Sequence, residues 1–235
     1  DRRPALQSAA NQVIYEMHVR DFTHSAPGIS HPDKFLGVGE PVSTDYLKRL
    51  GVTAVHLLPS FDYASVDETI QHNPPYNWGY DPQNYFSLTG MYSSVPTDPA
   101  KRIEEFKNLV NEIHKRGMGV ILDVVYNHTA KTSIFEDLEP NYYHFMDADG
   151  TPRSSFGGGR LGTTHYMSRR VLVDSIKYLT EQYKVDGFRF DMMGDHDAES
   201  IQKAFEEAKK LNPNLIMLGE GWKTYAGDEN KAVQP

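Results

Sequence analysis

Five short apolar segments recur along the chain, and the four gaps between them each hold a helical pattern. The segments are VIYEMHV (13–19), AVHLLP (54–59), GVILDVVY (119–126), GFRFDMM (187–193) and NLIMLGE (214–220). Segments that are apolar on both faces are typical of strands that are covered on both sides of a parallel sheet. The pattern therefore predicts five strands in the order β-α-β-α-β-α-β-α-β.

The clearest helical pattern lies between residues 97 and 117. Thr97 or Asp98 can cap its start, Pro99 suits the first turn, and Gly117 ends it. Its predicted apolar stripe consists of Ile103, Phe106, Val110 and Ile113. Shorter helical patterns precede the second, fourth and fifth strands, at 43–51, 168–184 and 198–213.

Strands that alternate with helices predict an α/β fold, either a doubly wound sheet or a (β/α)8 barrel, and periodicity does not separate the two. Residues 60–96 and 127–166, which follow the second and third strands, far exceed the roughly 2 to 6 residues usual for such connections. Both segments begin at the carboxyl end of a strand. Either fold keeps its active site at that end, so the site is predicted there.

Three of the predicted strands carry a carboxylate at or near their carboxyl ends. Asp123 lies in the third, Asp191 in the fourth and Glu220 at the tip of the fifth, and Arg189 shares a strand face with Asp191. For an isolated Arg–Asp pair, a structural ion pair is as good an explanation as chemistry. Three carboxylates on one rim favour chemistry, because buried charges are costly unless they are paired.

Two carboxyl groups beside a guanidinium suit the cleavage of a glycosidic bond. Arg189 would hold Asp191 ionised as a nucleophile, and Glu220, kept protonated, would deliver a proton to the leaving oxygen. A separation of about 5 to 5.5 Å between the two carboxyl groups would imply retention of configuration, and a wider gap inversion.

Four motifs carry a resemblance to a known family. DVVYNH (123–128), GFRFDMMG (187–194) and GEGW (219–222) resemble three of the four motifs of the α-amylase superfamily of glycoside hydrolases, and YNWGYDP (76–82) resembles the signature of its type I pullulanases. The resemblance covers essentially the whole chain. It implies a (β/α)8 TIM-type barrel, of which residues 1–235 are about the first five β/α units, truncated before the last three strands.

The resemblance also implies roles for individual residues. Asp191 is expected as the nucleophile and Glu220 as the general acid/base. The expected substrate-binding residues are Arg189, His128, Tyr80, Trp222 and Asp123. Among these, Arg189 orients the nucleophile, His128 hydrogen-bonds the sugar that is cleaved, Tyr80 stacks beneath it, and Trp222 forms a platform on the leaving-group side. Asp123 is expected to brace the site together with Asn127.

The sequence departs from the family pattern in one respect. The superfamily's fourth motif, a His-Asp pair near the seventh strand, is absent, and with it the third catalytic carboxylate. Part of a barrel exposes open sheet edges, so the chain is expected to be poorly stable or to associate unless another chain segment completes the barrel.

Composition narrows the possible partners. The 24 basic and 32 acidic residues leave a formal net charge of -8, which disfavours nucleic acid, and no apolar run is long enough for a membrane-spanning helix. The chain lacks cysteine and any loop with several oxygen ligands at suitable spacing, so neither a metal nor another cofactor is expected. Aromatic residues are frequent and can stack on sugars, although core packing is the commoner role of a single ring.

The leading hypothesis is a starch-debranching hydrolase that cleaves α-1,6-glucosidic links in pullulan and branched α-glucans by a retaining route. Isoamylase or glycogen-debranching activity is the nearest alternative, and a non-catalytic α-glucan-binding fragment is another. A metal-dependent barrel hydrolase is a third, because DMMGDHD (191–197) crowds acidic residues and a histidine. The resemblance suggests an extracellular or cell-surface location in a bacterium, with the cytoplasm left open.

Overall fold

The computed structural model describes residues 3–225, which contain nine strands and seven α-helices. The strands are β1 (Ile14–Met17), β2 (Ala54–Leu57), β3 (Phe61–Tyr63), β4 (Pro82–Leu88), β5 (Gly119–Val124), β6 (Ser154–Ser155), β7 (Gly158–Gly159), β8 (Gly187–Phe190) and β9 (Ile216–Gly219). The α-helices are α1 (Val19–His24), α2 (Phe35–Gly39), α3 (Pro41–Arg49), α4 (Pro99–Lys115), α5 (Ser133–Glu136), α6 (Tyr166–Tyr183) and α7 (Ala198–Leu211). Among these residues, no helix is long and apolar enough to cross a membrane.

The central sheet has five parallel strands in the order β1-β2-β5-β8-β9. Each strand pairs with the strand of the preceding β/α unit, and the order never reverses within the described residues. A doubly wound sheet reverses its strand order at a switch point, whereas a barrel adds each new strand beside the last one. The predicted fold class, a partial (β/α)8 barrel, is confirmed.

All five predicted strands are present, but each is shorter than its apolar segment. The first ends at Met17 because His18 begins a helix, where its Nδ1 accepts the amide hydrogen of Asp21. The fourth ends at Phe190, so Asp191 lies in the turn after the strand rather than within it. Asp191 and Glu220 therefore follow their strands directly, whereas Asp123 and Arg189 lie within theirs.

Helix α4 agrees with its prediction at both ends. Asp98 caps it by accepting the amide hydrogens of Ala100 and Lys101, and Gly117 follows it at a φ of 74°. Its predicted apolar stripe was wrong at one position. Ile103 is 36% exposed, whereas Leu109 is buried.

The connection between β1 and β2 holds two short helices, α1 and α2, that the sequence pattern did not predict. Phe35 and Val38 of α2 are fully buried, and the Phe35 ring meets Phe106 of α4 edge-on at 5.1 Å. The two long connections also have structure of their own. The first folds into the β3–β4 hairpin, and the second into α5 and the β6–β7 hairpin.

Candidate active site

Three carboxylates meet at one guanidinium at the carboxyl ends of β5, β8 and β9. Arg189 Nη1 donates to Asp123 Oδ1 at 3.0 Å and to Asp191 Oδ1 at 3.1 Å. Its Nη2 donates to Glu220 Oε2 at 3.0 Å. The carboxylates that the strand pattern placed on one rim are therefore adjacent, and Arg189 joins them.

Strand register explains why these side chains converge. The parallel ladder pairs Asp123 with Arg189 across β5 and β8. It also continues one residue past two strand ends, because the Asp191 amide donates to the Val124 carbonyl at 2.9 Å and the Glu220 amide donates to the Phe190 carbonyl at 3.0 Å. Main-chain hydrogen bonds thus fix the backbone positions of Asp191 and Glu220.

The turn after Asp191 holds the Glu220 segment. Met192 adopts left-handed backbone angles, φ 46° and ψ 49°, and its amide donates to Glu220 Oε2 at 3.2 Å. Gly194 lies so close to the next segment that a Cβ there would collide with the Trp222 carbonyl oxygen. Sequence reasoning did not identify Met192 as part of the site, because a left-handed methionine has no signature in the apolar pattern.

Asp191 is the more buried of the two expected catalytic carboxylates, with a side chain that is 13% exposed. Asn127 Nδ2 donates to its Oδ2 at 2.9 Å and to its carbonyl oxygen at 3.2 Å. Burial raises the pKa of Asp191 to about 6, although the hydrogen bond from Asn127 and the charge of Arg189 act in the opposite direction.

Glu220 is more open, with a side chain that is 30% exposed. Burial acts to raise its pKa, but donors outweigh it: Trp222 Nε1 donates to Oε1 at 2.5 Å, and the Met192 amide and Arg189 also bind the carboxylate. The pKa of Glu220 is therefore lowered. This order is the reverse of our expectation that Arg189 keeps Asp191 ionised while Glu220 stays protonated. The reason is that Asp191 is the more deeply buried carboxylate, while Arg189 is shared by both and the other donors to Glu220 lower its pKa.

Asp123 lies beneath the other two carboxylates and has a fully buried side chain. Its Oδ2 accepts the Tyr80 hydroxyl hydrogen at 2.8 Å and lies 3.0 Å from His56 Nε2. Both carboxylate oxygens therefore already have protein partners, an arrangement that suits bracing. The sequence signal for His56 was a single polar residue within an otherwise apolar strand.

His128 is 2% exposed and forms part of the floor of the site. Its Nδ1 lies 2.7 Å from Asn127 Oδ1, and its Nε2 lies 2.8 Å from the Tyr80 carbonyl oxygen. Burial lowers the pKa of His128. Both ring nitrogens lie within hydrogen-bond distance of protein oxygens and position Asn127 and Tyr80, while the hydrogen bond from His128 to a sugar stays a prediction.

Two aromatic side chains, Tyr80 and Trp222, contact the carboxylates through hydrogen bonds. The Tyr80 ring is partly buried and held through its hydroxyl, and burial raises the pKa of that hydroxyl. Trp222 and Trp78 are each more than half exposed. Trp78 Nε1 donates to the Tyr76 hydroxyl at 2.9 Å, which in turn donates to Asp21 at 2.9 Å.

The acidic residues that suggested a metal-dependent hydrolase have protein partners instead. Asp197 caps α7 and accepts from Arg169 at 3.0 Å, while Asp195 pairs with Arg160 at 2.9 Å. Across residues 3–225, no group of three or more histidine, aspartate or glutamate side chains has the geometry to hold a metal ion. The segment DMMGDHD (191–197) therefore does not form the cluster of metal ligands that a metal-dependent hydrolase requires.

Comparisons with known proteins agree with the geometry. The family described as "Alpha amylase, catalytic domain" matches residues 36–151. Pullulanase A of Streptococcus pneumoniae serotype 2 (strain D39) is 70% identical over 237 residues, which cover 96% of this chain and 19% of that protein. The chain thus spans about one fifth of the length of this curated relative.

Two solved structures are similar over almost the whole chain. The catalytic module of the multi-modular glycogen-degrading pneumococcal virulence factor SpuA, in complex with an inhibitor, has a TM-score of 0.92 and 63% identity, covering 99% of this chain and 35% of that one. The GBS pullulanase SAP in complex with maltotetraose has a TM-score of 0.92 and 60% identity, covering 98% and 31% respectively. The chain therefore belongs to the α-amylase family of glycoside hydrolases, as part of a catalytic domain like those of bacterial pullulanases.

Proposed function

We propose that this chain carries the catalytic carboxylates of a debranching hydrolase that cleaves α-1,6-glucosidic links in pullulan and branched α-glucans with retention of configuration. The observation that supports the proposal most directly is the contact of Asp123, Asp191 and Glu220 with one guanidinium, that of Arg189. An arginine shared by carboxylates at the carboxyl ends of parallel strands suits a catalytic pair that holds one proton, with one carboxyl ionised as the nucleophile and the other protonated as the acid.

In the proposed reaction, Asp191 attacks the anomeric carbon while Glu220 protonates the departing glycosidic oxygen. The bond from the anomeric carbon to that oxygen breaks, and a glycosyl ester forms on Asp191. Glu220, now ionised, then takes a proton from water, whose oxygen attacks the same carbon and releases Asp191. Asn127 and Arg189 hold the nucleophile in place through the hydrogen bonds described above.

The proposed mechanism needs the proton on Glu220, although the pKa order of the pair favours Asp191. Glu220 is the more exposed carboxylate, so a bound sugar would remove more water from it than from Asp191. Desolvation raises the pKa of a carboxylate. We therefore propose that substrate binding moves the shared proton onto Glu220.

The relatives support an α-glucan as the substrate, since one is named as glycogen-degrading and another is complexed with maltotetraose. We further propose that residues 1–235 form the N-terminal part of a (β/α)8 domain and that another chain segment completes the barrel. The streptococcal relatives, one of them a pneumococcal virulence factor, support a location outside a bacterial cell.

The test is the release of reducing ends from pullulan and from glycogen. It should be run on the 235-residue chain and on the protein that carries it, with Asp191→Asn as the control. From the protein that carries the chain we expect maltotriose from pullulan, initially as the α-anomer, and no product from its Asp191→Asn variant; from the 235-residue chain alone we expect no release. Substantial hydrolysis by Asp191→Asn would contradict the assignment. Glycogen cleavage without pullulan cleavage would favour isoamylase-like specificity, and glucan binding without turnover would favour a binding role.

A further inference from the structure

The tip of the β6–β7 hairpin carries an aromatic residue in an unfavourable backbone conformation. Ser154 pairs with Gly159 and Ser155 with Gly158, which leaves Phe156 and Gly157 at the turn. Both tip residues are left-handed, with φ values of 49° and 86°. Such hairpin turns favour asparagine, aspartate or glycine at the first tip position, and a bulky side chain there is strained.

Packing does not explain why phenylalanine occupies this position. The Phe156 side chain is 67% exposed, although phenylalanine usually gains stability by burial. Its ring contact is with His128, at 5.2 Å between ring centroids and an interplanar angle of 51°. An aromatic residue that is both strained and exposed is neither a good turn former nor a core residue, and strain of this kind concentrates at functional sites.

The hairpin is held firmly against the floor of the site. The Thr129 amide donates to the Gly159 carbonyl oxygen at 2.9 Å, and a Cβ on Gly158 would collide with the Thr129 carbonyl oxygen. Beneath the Phe156 ring, His128 contacts Asn127, and Asn127 donates to Asp191. The exposed ring is therefore fixed two hydrogen bonds from the proposed nucleophile.

We propose that Phe156 is a stacking platform for a glucosyl unit of the substrate next to the catalytic carboxylates. This inference rests on the proposed function and names a binding residue within it. The apolar face of a pyranose ring covers an exposed phenyl ring and removes both from water. Phe156 does not touch the reacting atoms, so it contributes to binding and leaves proton transfer to Asp191 and Glu220.

The test compares four variants of the protein that carries this chain, assayed on pullulan. We expect Phe156→Ala to raise KM about five- to tenfold, as loss of an aromatic contact does, with kcat and the pH profile unchanged. Phe156→Trp should stay within about twofold of the parent, because stacking is preserved. Tyr46→Ala, which removes an exposed aromatic from α3, is the matched control and should leave KM unchanged.

Phe156→Asn separates a binding role from a structural one. Asparagine tolerates the left-handed conformation, so this variant should unfold at a higher temperature than the parent while raising KM as alanine does. An unchanged KM in Phe156→Ala, or a lower melting temperature in Phe156→Asn, would overturn the inference. Asp191→Asn in the same assay distinguishes the two proposals. If it abolishes turnover, either contrary result rejects only the stacking role of Phe156. If it keeps its activity, the proposed function itself is wrong.

Discussion

At the scale of single residues, Asp191 has opposing effects on stability and on the proposed chemistry. Its pKa is raised to about 6 in the folded chain, from an ordinary value of 3.8. A carboxyl whose pKa is raised on folding favours the folded state below its unfolded pKa, and that advantage is lost as the pH rises through its folded pKa. The ionised Asp191, the proposed nucleophile, therefore destabilises the fold at neutral pH.

We expect Asp191→Asn to abolish turnover and to raise the free energy of unfolding at pH 7 by up to roughly 3 kcal/mol, because a shift of about two pKa units is removed. The gain should shrink below pH 6 and vanish below pH 4. Thermal or urea unfolding of parent and variant at pH 3.5, 5 and 7 measures it. A variant that is less stable than the parent at pH 7 would show that the carboxylate stabilises the fold.

The shared proton sets the expected pH dependence of catalysis. The active pair holds one proton, and the pair loses it near pH 6, the raised pKa of Asp191. We expect kcat/KM of the parent to fall as the pH rises above about 6. In Glu220→Gln the residual rate should lack this falling limb, because the donor of the proton to the leaving oxygen is gone and the remaining carboxyl, Asp191, attacks only when it is ionised. The same limb in Glu220→Gln would exclude Glu220 as the proton donor.

At the residue scale, the sequence predicts which charged side chains form the site but not the pKa values that they take there. Asp123, Arg189, Asp191 and Glu220 could be predicted to converge, because strand alternation and strand ends are visible in the apolar pattern. The order of their pKa values could not be predicted, since it depends on the burial of Asp191 and on hydrogen bonds from Trp222 and the Met192 amide to Glu220. The engaged nitrogens of His128 depend likewise on tertiary contacts.

At the scale of elements, the β8–α7 connection determines how Glu220 is presented. Met192 must be left-handed to direct its amide at Glu220, and that conformation costs a residue with a Cβ roughly 1 to 2 kcal/mol. The strained residue lies directly between Asp191, the proposed nucleophile, and the segment that carries Glu220, the proposed acid.

Met192→Gly and Met192→Ala make a matched pair, because both remove the side chain and only glycine accepts the left-handed backbone freely. We expect the glycine variant to be more stable by about 1 kcal/mol, the opposite of the usual order in a helix or strand. Equilibrium unfolding of the two variants measures this difference. An alanine variant of equal or greater stability would mean that the turn adopts another conformation.

Long periodic elements could be predicted and short ones could not. Helices α4, α6 and α7 contain 14 or more residues each, enough for several turns of a repeating apolar stripe. Helices α1 and α2 contain six and five residues, which is less than two turns, so no periodicity is detectable. In the long connections, β3, β6 and β7 have only three, two and two residues, too few to show alternation. Strand β4 has seven residues, but it buries every third residue rather than every second one, so it lacks the alternation typical of a strand.

At the scale of the whole molecule, the central sheet has two edges. Within residues 3–225, β1 pairs only with β2, and β9 only with β8. An edge strand presents unpaired amide and carbonyl groups that favour pairing with another chain. This supports the proposal that another segment completes the barrel.

We expect the 235-residue chain alone to associate, or to unfold at a lower temperature than the protein that carries it. Light scattering over a concentration series and thermal unfolding of both forms measure this. Addition of the remaining segment as a separate chain should restore a single species if it pairs with the edges. A monomeric chain with an unchanged melting temperature would show that the five-stranded unit is self-sufficient.

The strand order also has a consequence for biosynthesis. Because each strand of the sheet lies beside the strand made just before it, every β/α unit leaving the ribosome finds its partner already in place. The nascent chain can therefore grow its sheet in the order of translation, without waiting for distant segments. Asp123, Asp191 and Glu220 would then be brought to the rim one after another, and the site would close only when β9 is added.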